Sequence, residues 1–486
     1  MSQQNTYYST KILFICGWLV MRNYWHIVLV CCLTVLFSSC KKDFYSTSAR
    51  DTLHYSNDTV SFDTLFTQTG SITQSFTIKN DQKGIIKIDK VFLENGDASE
   101  FIINVNGTQG PSVSNIEIAS GDSIFVFIQT KLKEQEVDTI LYHQEQLVVE
   151  YNSRTDKVII TAWGQDVVNL KGAILNTQTF KANKPYVIYD SLIVNEGETL
   201  TIEAGTKLYL HYNANIRIKG SLKIEGTSEN PVHITSDRLE ETYQLLPGQW
   251  GSIIFEATSK DNEISYTKII NGVNGLVFYG DNSHEISCKI NNTQISNMSG
   301  NGVYAQNAHI DSYNCIFANC DYSVLNIQGG WFNSVHNTIY NIGSAKGRKY
   351  YPSVSISDSC ENGTIALQQV SFYNSIIVGT MTNEIVFNTN GGNNSLPCIM
   401  QYCLIRDTYT QNDSAYYKNI TYYNDEKNLF SNTATFTLDT LSQAINIGNI
   451  EYANIHPTDL LNHSRIADSK PDVGALEYFY EEKKEH

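Results

Sequence analysis

Three stretches of this chain can be laid over one another: YTKIINGVNGLVF (266–278), NTQISNMSGNGVY (292–304) and NCIFANCDYSVLN (314–326). Thr267, Thr293 and Cys315 align, as do Asn271, Asn297 and Asn319, at steps of 26 and 22 residues. Partial copies follow at 337–343, 374–379 and 402–407. A repeat this short cannot bury its own apolar side chains. Each copy has to stack on the next, which makes the chain a solenoid. A step of 22–26 residues fits one three-sided rung of short strands. The stretch before the repeats, 191–236, has the same character: short alternating strands broken by Asn-Glu-Gly, Ala-Gly-Thr, Lys-Gly-Ser and Glu-Gly-Thr corners. Asparagines recurring at one corner are expected to stack as an amide ladder, each bonding its neighbour.

These phrases, together with LIVNEGETLTIEAGTKL, GSLKIEGTSENPVHITS, GQWGSIIF and the closing KPDVGALEY (470–478), resemble the right-handed parallel β-helix, or pectin-lyase-like, superfamily. The likeness is nearest to its uncharacterised lipoprotein branch from Bacteroidetes-type bacteria. It covers residues 167–480. In the closing phrase the resemblance implies that Asp472 and Gly474 shape a final turn. Trp250 in GQWG is expected to pack within a rung. Fold alone assigns no activity.

Residues 58–165 alternate with the strand period in ITQSFTIKN, IIKIDKVFL, EFIINV, DSIFVFIQT, EQLVVEYNS and KVIITAWG. Short strands separated by polar turns predict a β-sandwich. The early Phe76-Thr77-Ile78-Lys79-Asn80 and the late Thr161-Ala162-Trp163-Gly164-Gln165 resemble the Hydin-type immunoglobulin-like domains. The fold class is therefore all-β: an immunoglobulin-like β-sandwich followed by a right-handed parallel β-helix.

The N-terminal segment supplies an address. An apolar run from Ile27 to Phe37 follows Arg22 and ends in Ser38-Ser39-Cys40. Its 11 residues fall short of the roughly 20 that span a bilayer. A charged start, a short apolar middle and a small-residue end make a secretory signal, read best from Met21. The stretch Leu36–Cys40 resembles a bacterial lipobox, which implies cleavage before Cys40 and acylation of its thiol. The expected plan is an upstream extension and signal at 1–40, a tether at 41–57, the sandwich at 58–165, the β-helix at 167–480 and a charged tail at 481–486. The expected location is the cell envelope, anchored to the outer membrane through the N-terminal lipid, on its periplasmic or its surface face. Thr52, Thr59 and Thr64 follow aspartates and precede aliphatic residues, a pattern resembling the O-glycosylation site of Bacteroides-like bacteria.

Net charge is −16, and no basic track runs along the chain. Nucleic acid, which needs cations against phosphates, is not an expected partner. Beyond Cys40 stand Cys288, Cys315, Cys320, Cys360, Cys398 and Cys403, with no paired zinc spacing. Buried thiols and one or two disulfides both fit an exported protein.

Catalytic signals are thin. Pectin-hydrolysing members of the superfamily carry Asn-Thr-Asp and Gly-His-Gly, both absent here, and Arg217-Ile218-Lys219 falls on an early alternating strand. Asp311, Asp321 and Asp358 are the candidate acids, and carboxylate pairs drive glycoside hydrolysis. No cofactor or metal is expected, and calcium belongs only to a lyase reading, because it needs clustered carboxylates. Binding has more support. Trp331 follows two glycines, and the insertion 344–353 gathers Arg348, Lys349, Tyr350 and Tyr351. A second tyrosine-rich stretch carries Tyr409, Tyr416, Tyr417, Tyr422 and Tyr423. Flat aromatic faces with polar tips suit sugar rings, so a polysaccharide is the expected partner. The chain reads as a non-catalytic glycan-binding or adhesion module. A diverged polysaccharide lyase or glycoside hydrolase, and a purely architectural envelope protein, remain the alternatives.

Overall fold

A computed structural model describes residues 44–281, 285–360, 363–389, 398–408, 417–425, 428–467 and 470–479. The signal segment, Cys40, Tyr409, Tyr416 and the tail at 481–486 lie outside these residues. The described chain divides into two compact units. One holds 44–61, 70–130 and 144–161; the other holds 62–69, 131–143 and everything from 162 onward.

The first unit is built from two sheets. Gln74–Lys79 pairs antiparallel with Ser123–Thr130, which also pairs with Phe101–Val105. Ile85–Leu93 pairs antiparallel with Ser112–Ile118 and with the strand through Leu147–Tyr151. Alternation decides which side is buried. In Ser123–Thr130, Ile124, Val126 and Ile128 point inward, while Phe125 and Phe127 stay exposed and stack at 5.8 Å. The expected tether is partly folded into this unit. Tyr45–Ser46 runs parallel to Ile85–Ile86, His54–Tyr55 pairs with Ile78–Lys79, and Leu53 is buried. Leu53 is the apolar side chain that this segment buries, while Phe44 and Tyr45 stay exposed. Thr52 and Thr59 are exposed, and Thr64 is half-buried within the strand Thr59–Phe66.

The second unit is a right-handed parallel β-helix; its last described rung shows two strands, and the coil is built on rungs of three short ones. In one rung these are His309–Tyr313, Ile316–Ala318 and Leu325–Gln328. We call the faces they build the first, second and third. Along the first face the strands form one parallel sheet from Gln178–Phe180 to Tyr417–Lys418. Inward columns are mainly apolar, with Ser312 and Ser334 buried in that of the first face. On the second face Leu208, Ile234, Ile269, Ile295, Phe317, Ile339, Ile377 and Ile405 lie in register. All are buried, and full burial of one such side chain is worth about 1.5–3 kcal/mol. Trp250 is also inside, its Nε1 donating to the Ile270 carbonyl at 2.8 Å.

The corners explain the asparagine repeats. The turn from first to second face takes a left-handed residue in rung after rung: Asn292, Asn314, His336 and Asn374. Asparagine tolerates that conformation better than most residues. Asn314 Nδ2 donates to Asn292 Oδ1 at 3.1 Å. At the next corner Asn297 Nδ2 donates to Asn271 Oδ1 at 2.7 Å, as the repeat alignment predicts. Asn319 keeps the left-handed φ of 55° there, with its Oδ1 buried and unpartnered. Just inside the first corner, Thr293, Cys315, Asn337 and Ser375 stack, and Asn337 Oδ1 accepts from the Cys315 amide at 2.7 Å.

The six described cysteines are free thiols. Burial pushes Cys315, Cys320 and Cys403 up to about 12, so they behave as packing groups.

The coil ends earlier than residue 480. Its last parallel strand among the described residues is Thr421–Tyr422. The chain from 428 onward is laid over the second face instead. Leu429, Phe430, Phe436, Leu438, Val473, Ala475 and Leu476 cover the outward Ile316, Ala318, Ile376, Val378 and Leu404. The closing phrase docks on the corner rather than forming a last turn. Gly474, at φ +98°, donates to the Asn374 carbonyl at 2.8 Å, and the Ala475 amide donates to Thr338 Oγ1 at 2.9 Å. Asp472 accepts from the Asn446 and Tyr478 amides.

Candidate functional site

The first face carries a shelf of about 280 Å³ on its outer side. Register builds it. His309 lies opposite Trp331, and Trp331 opposite Gln369; one column over, Asp311, Asn333 and Ser371 follow each other. The His309 and Trp331 rings stack at 5.4 Å. His309 Nε2 lies 3.6 Å from Asp311 Oδ1. Ser371 Oγ donates to Asn333 Oδ1 at 2.8 Å.

Two glycines deliver Trp331 to this position. Gly329 and Gly330 both have positive φ, at 68° and 71°. A Cβ on Gly329 would meet Ile365 Cγ2 at 2.2 Å, and one on Gly330 would meet the Ala308 carbonyl at 2.3 Å. Only glycine fits this turn, and it brings the following strand in with Trp331 facing out.

A short helix, Ile450–Ile455, stands beside the shelf. His456, just after it, stacks on Tyr313 at 4.0 Å, and Tyr452 stacks on Tyr373 at 4.5 Å. Asn374 at the corner holds the helix start, taking the Asn449 amide at 2.8 Å and returning Nδ2 to its carbonyl at 2.9 Å. Burial pushes Tyr452 up to about 12 and His456 down. The shelf therefore offers a partly exposed indole, one carboxylate (Asp311) and the amides of Asn333 and Gln369. That mixture can take the apolar face of a sugar and bond its hydroxyls.

The other candidates lie elsewhere. Asp321 is buried in the turn after Ile316–Ala318, bonded by the Ser344 hydroxyl. Asp358 follows the strand Val354–Ser357, its carbonyl accepting from the Ile365 amide at 2.6 Å. A ten-residue step runs from the first face past the whole second-face strand, so Asp311 and Asp321 do not converge. No three of His, Cys, Asp and Glu gather to hold a metal among the described residues. Arg348 is a structural group rather than a ligand-facing one. Its guanidinium pairs with Glu384 at 2.5 and 2.8 Å, with both side chains buried. It also bonds the Asn341 and Tyr351 carbonyls. Lys349 and Tyr350 are exposed on that loop, and Tyr351 packs on Tyr322 at 4.7 Å. Tyr417 and Tyr422 pack against the coil's core, and Tyr423 lies under Arg406 at 5.6 Å.

Sequence reasoning placed His309 beside Asp311 on one strand face, as found; it missed Asn333 and Gln369, and it missed a second concavity. On the second face, before the C-terminal segment covers it, a groove of about 610 Å³ opens. Tyr209, Thr235, Lys268, Ile270, Gln294 and Ser296 line its floor. Its lip is the loop 237–249. Asn271 and Asn297 of the corner ladder tie that loop down, donating to the Gln244 and Leu245 carbonyls at 2.9 Å. Arg238 on the lip is paired in bidentate fashion with Glu240 and lies 3.7 Å over the Tyr243 ring.

With this geometry in place, comparisons with known proteins bear on the coil. Residues 172–340 match the pectate-lyase-like β-helix domain. No curated protein matches the chain. Among solved structures, the complex of XylC with xylose is 10% identical, with 86% of this chain and 89% of that one covered at a TM-score of 0.30. The catalytic unit of a GH87 α-1,3-glucanase from Streptomyces thermodiastaticus is also 10% identical, covering 71% and 72% at 0.23. A family 123 glycoside hydrolase from Clostridium perfringens is 8% identical at 0.18, and this chain spans 31% of its length. At such identities and TM-scores these likenesses carry no assignment of function.

Proposed function

We infer that the protein is a glycan-binding module of the cell envelope, holding a saccharide on the first-face shelf without cleaving it. The carrying observation is the stacked His309–Trp331 pair beside Asp311, Asn333 and Gln369 in one open recess. A stacking platform with neutral amides is a recognition surface. Hydrolysis of a glycosidic bond calls for two facing carboxylates, and Asp311 is the one carboxylate lining this recess. A match to a pectate-lyase-like domain supports a carbohydrate-related role at the level of fold. The anchor is the lipid on Cys40, which places the protein on the membrane and its coil within reach of envelope or environmental polysaccharide.

A glycan array probed with the full chain and with Trp331→Ala tests the reading. Retention of one glycan class, lost in the variant, is the expected result. An array on which nothing is retained, or on which Trp331→Ala is retained equally, overturns it.

A further inference from the structure

The chain enters its first unit at one defined end. Tyr45–Ser46 runs parallel to Ile85–Ile86, so the chain reaches Tyr45 from the side of the turn 80–84, which precedes that strand. There the Ile85 amide donates to the Phe44 carbonyl at 2.8 Å. The Phe44 ring lies on Gly84, where a Cβ would meet it at 2.8 Å. The segment that follows is not a loose spacer. The Leu53 amide donates to Tyr151 Oη at 3.1 Å, and Asp156 accepts from Tyr151 at 2.6 Å and from Tyr55 at 3.2 Å. His54–Tyr55 adds a second strand pairing. What is left between Cys40 and the folded unit is three residues, 41–43. Covalent geometry holds the Cα of Phe44 within about 14 Å of that of Cys40.

This end of the unit is a hydrogen-bonded platform. Asn80 ties the turn 80–84 to the turn 119–122, giving its amide to the Asp122 carbonyl at 2.9 Å and taking the Gly121 amide at 2.8 Å. Ser120 Oγ donates to the Gln82 carbonyl at 2.7 Å. Phe44 is 57% exposed here, and Phe125, on the strand that leaves the turn 119–122, is 53% exposed. Lys83 is exposed as well, and the acid of its turn, Asp81, is paired with Lys79 at 2.7 Å. Exposed aromatic rings and lysines are the side chains that settle at a lipid interface.

We propose that this end of the first unit docks on the lipid surface that carries the anchor, with Phe44 and Phe125 in the headgroup layer and Lys83 against its phosphates. The inference rests on acylation of Cys40, and it turns an expected tether into a short leash. A loose segment 41–57 would let the unit stand about 60 Å from the membrane. Three residues keep the platform at the surface instead. So short a leash holds its effective concentration there at about the millimolar level or above. Contacts too weak to bring a free protein to a membrane are then made.

Hydrogen exchange of the full acylated chain tests this. The protein is taken from its host's membranes, placed in vesicles of phosphatidylethanolamine and phosphatidylglycerol, and read against the chain starting at Lys41 in solution. The turns 80–84 and 119–122 are expected to exchange at least about threefold more slowly in the vesicles. The turn 94–98, at the other end of Ile85–Leu93, exchanges as it does in solution. Insertion of about ten Gly/Ser residues between Asp43 and Phe44 lengthens the leash and returns both turns to the solution rate. Phe44→Ser with Phe125→Ser does the same on the native leash. The mass of the N-terminal peptide reads the anchor in the same samples. A bare Cys40, or a peptide that begins before it, overturns the anchor and this proposal with it. An acylated Cys40 with both turns exchanging as in solution overturns the docking and leaves the anchor standing. Slow exchange that survives in either variant, or that extends equally to the turn 94–98, also overturns the docking.

Discussion

Nδ2 of Asn374 lies 3.0 Å from Nε2 of His336, one rung away and fully buried. His336 thus occupies a place in a ladder that Asn292, Asn314 and Asn374 otherwise fill, at a left-handed φ of 51°. Burial, with Arg465 and His456 nearby, holds its imidazole neutral, well below the usual histidine range. The unfolded chain takes up a proton near pH 6.5 and the folded one does not. The stability tied to His336 is therefore complete above about pH 6.5 and is lost as the pH falls below it. His336→Asn restores the ladder residue and removes a titrating group. Thermal unfolding at pH 8 and pH 5 checks this: the variant loses less stability on acidification than the wild type. His456, also held low by burial, leaves part of the acid sensitivity in place. An identical loss in both proteins counts against the assignment.

Arg465 joins the C-terminal segment to the same ladder. It is fully buried, donates to Glu477 at 2.6 Å and reaches Asn314 Oδ1 at 2.9 Å. Asp459 and Asp472 are buried close by in the sequence fold of this segment. Arg465→Met leaves these carboxylates without their cation, a change that costs about 3–5 kcal/mol. The loss is local, so limited proteolysis is the direct readout. Cleavage within 428–479 precedes cleavage of the rungs in the variant. Simultaneous loss of both would show that the segment is not a separate cap.

The loop 342–353 separates two roles that the sequence blends. Arg348→Ala leaves Glu384 buried and unpaired, which costs about 3–5 kcal/mol. Tyr350, 98% exposed, changes stability by less than about 0.5 kcal/mol when replaced by alanine. Urea unfolding of the two variants distinguishes them, and equal midpoints would refute the structural role of Arg348.

Gly330→Ala is predicted to disturb the shelf through the backbone. Its Cβ would press on the Ala308 carbonyl at a left-handed position, a strain of about 1–3 kcal/mol. The strand that begins there carries Trp331, so glycan retention falls together with melting temperature. Trp331→Ala, in contrast, lowers retention with little change in melting temperature, because the indole is only partly buried. Equal retention by Gly330→Ala and the wild type would show that the turn does not position Trp331.

The coil was legible because its signal repeats. Alternation marked the inward columns, and the aligned asparagines named a corner before any coordinates: Asn271 and Asn297 bond as expected. The second ladder was harder to read, since His336 interrupts its asparagines. The end of the coil was misplaced because residues 428–479 are as rich in short apolar stretches as the rungs, and only their packing reveals a cover. Site residues were legible where a side chain is distinctive by itself, as Trp331 is. Asp311 and Asp321 stand ten residues apart but fall on different parts of one rung, and Asp358 follows the third-face strand of the next, because three faces separate residues that a linear reading groups.

The central claim is a glycan held at Trp331 and left intact. The most direct measurement incubates the full chain and Trp331→Ala with the polysaccharide that the array identifies, and follows retention, new reducing ends and unsaturated uronates in the same samples. The account predicts retention by the wild type, its loss in Trp331→Ala and no new ends in either. New ends formed by the wild type, or retention unaffected by Trp331→Ala, would contradict it.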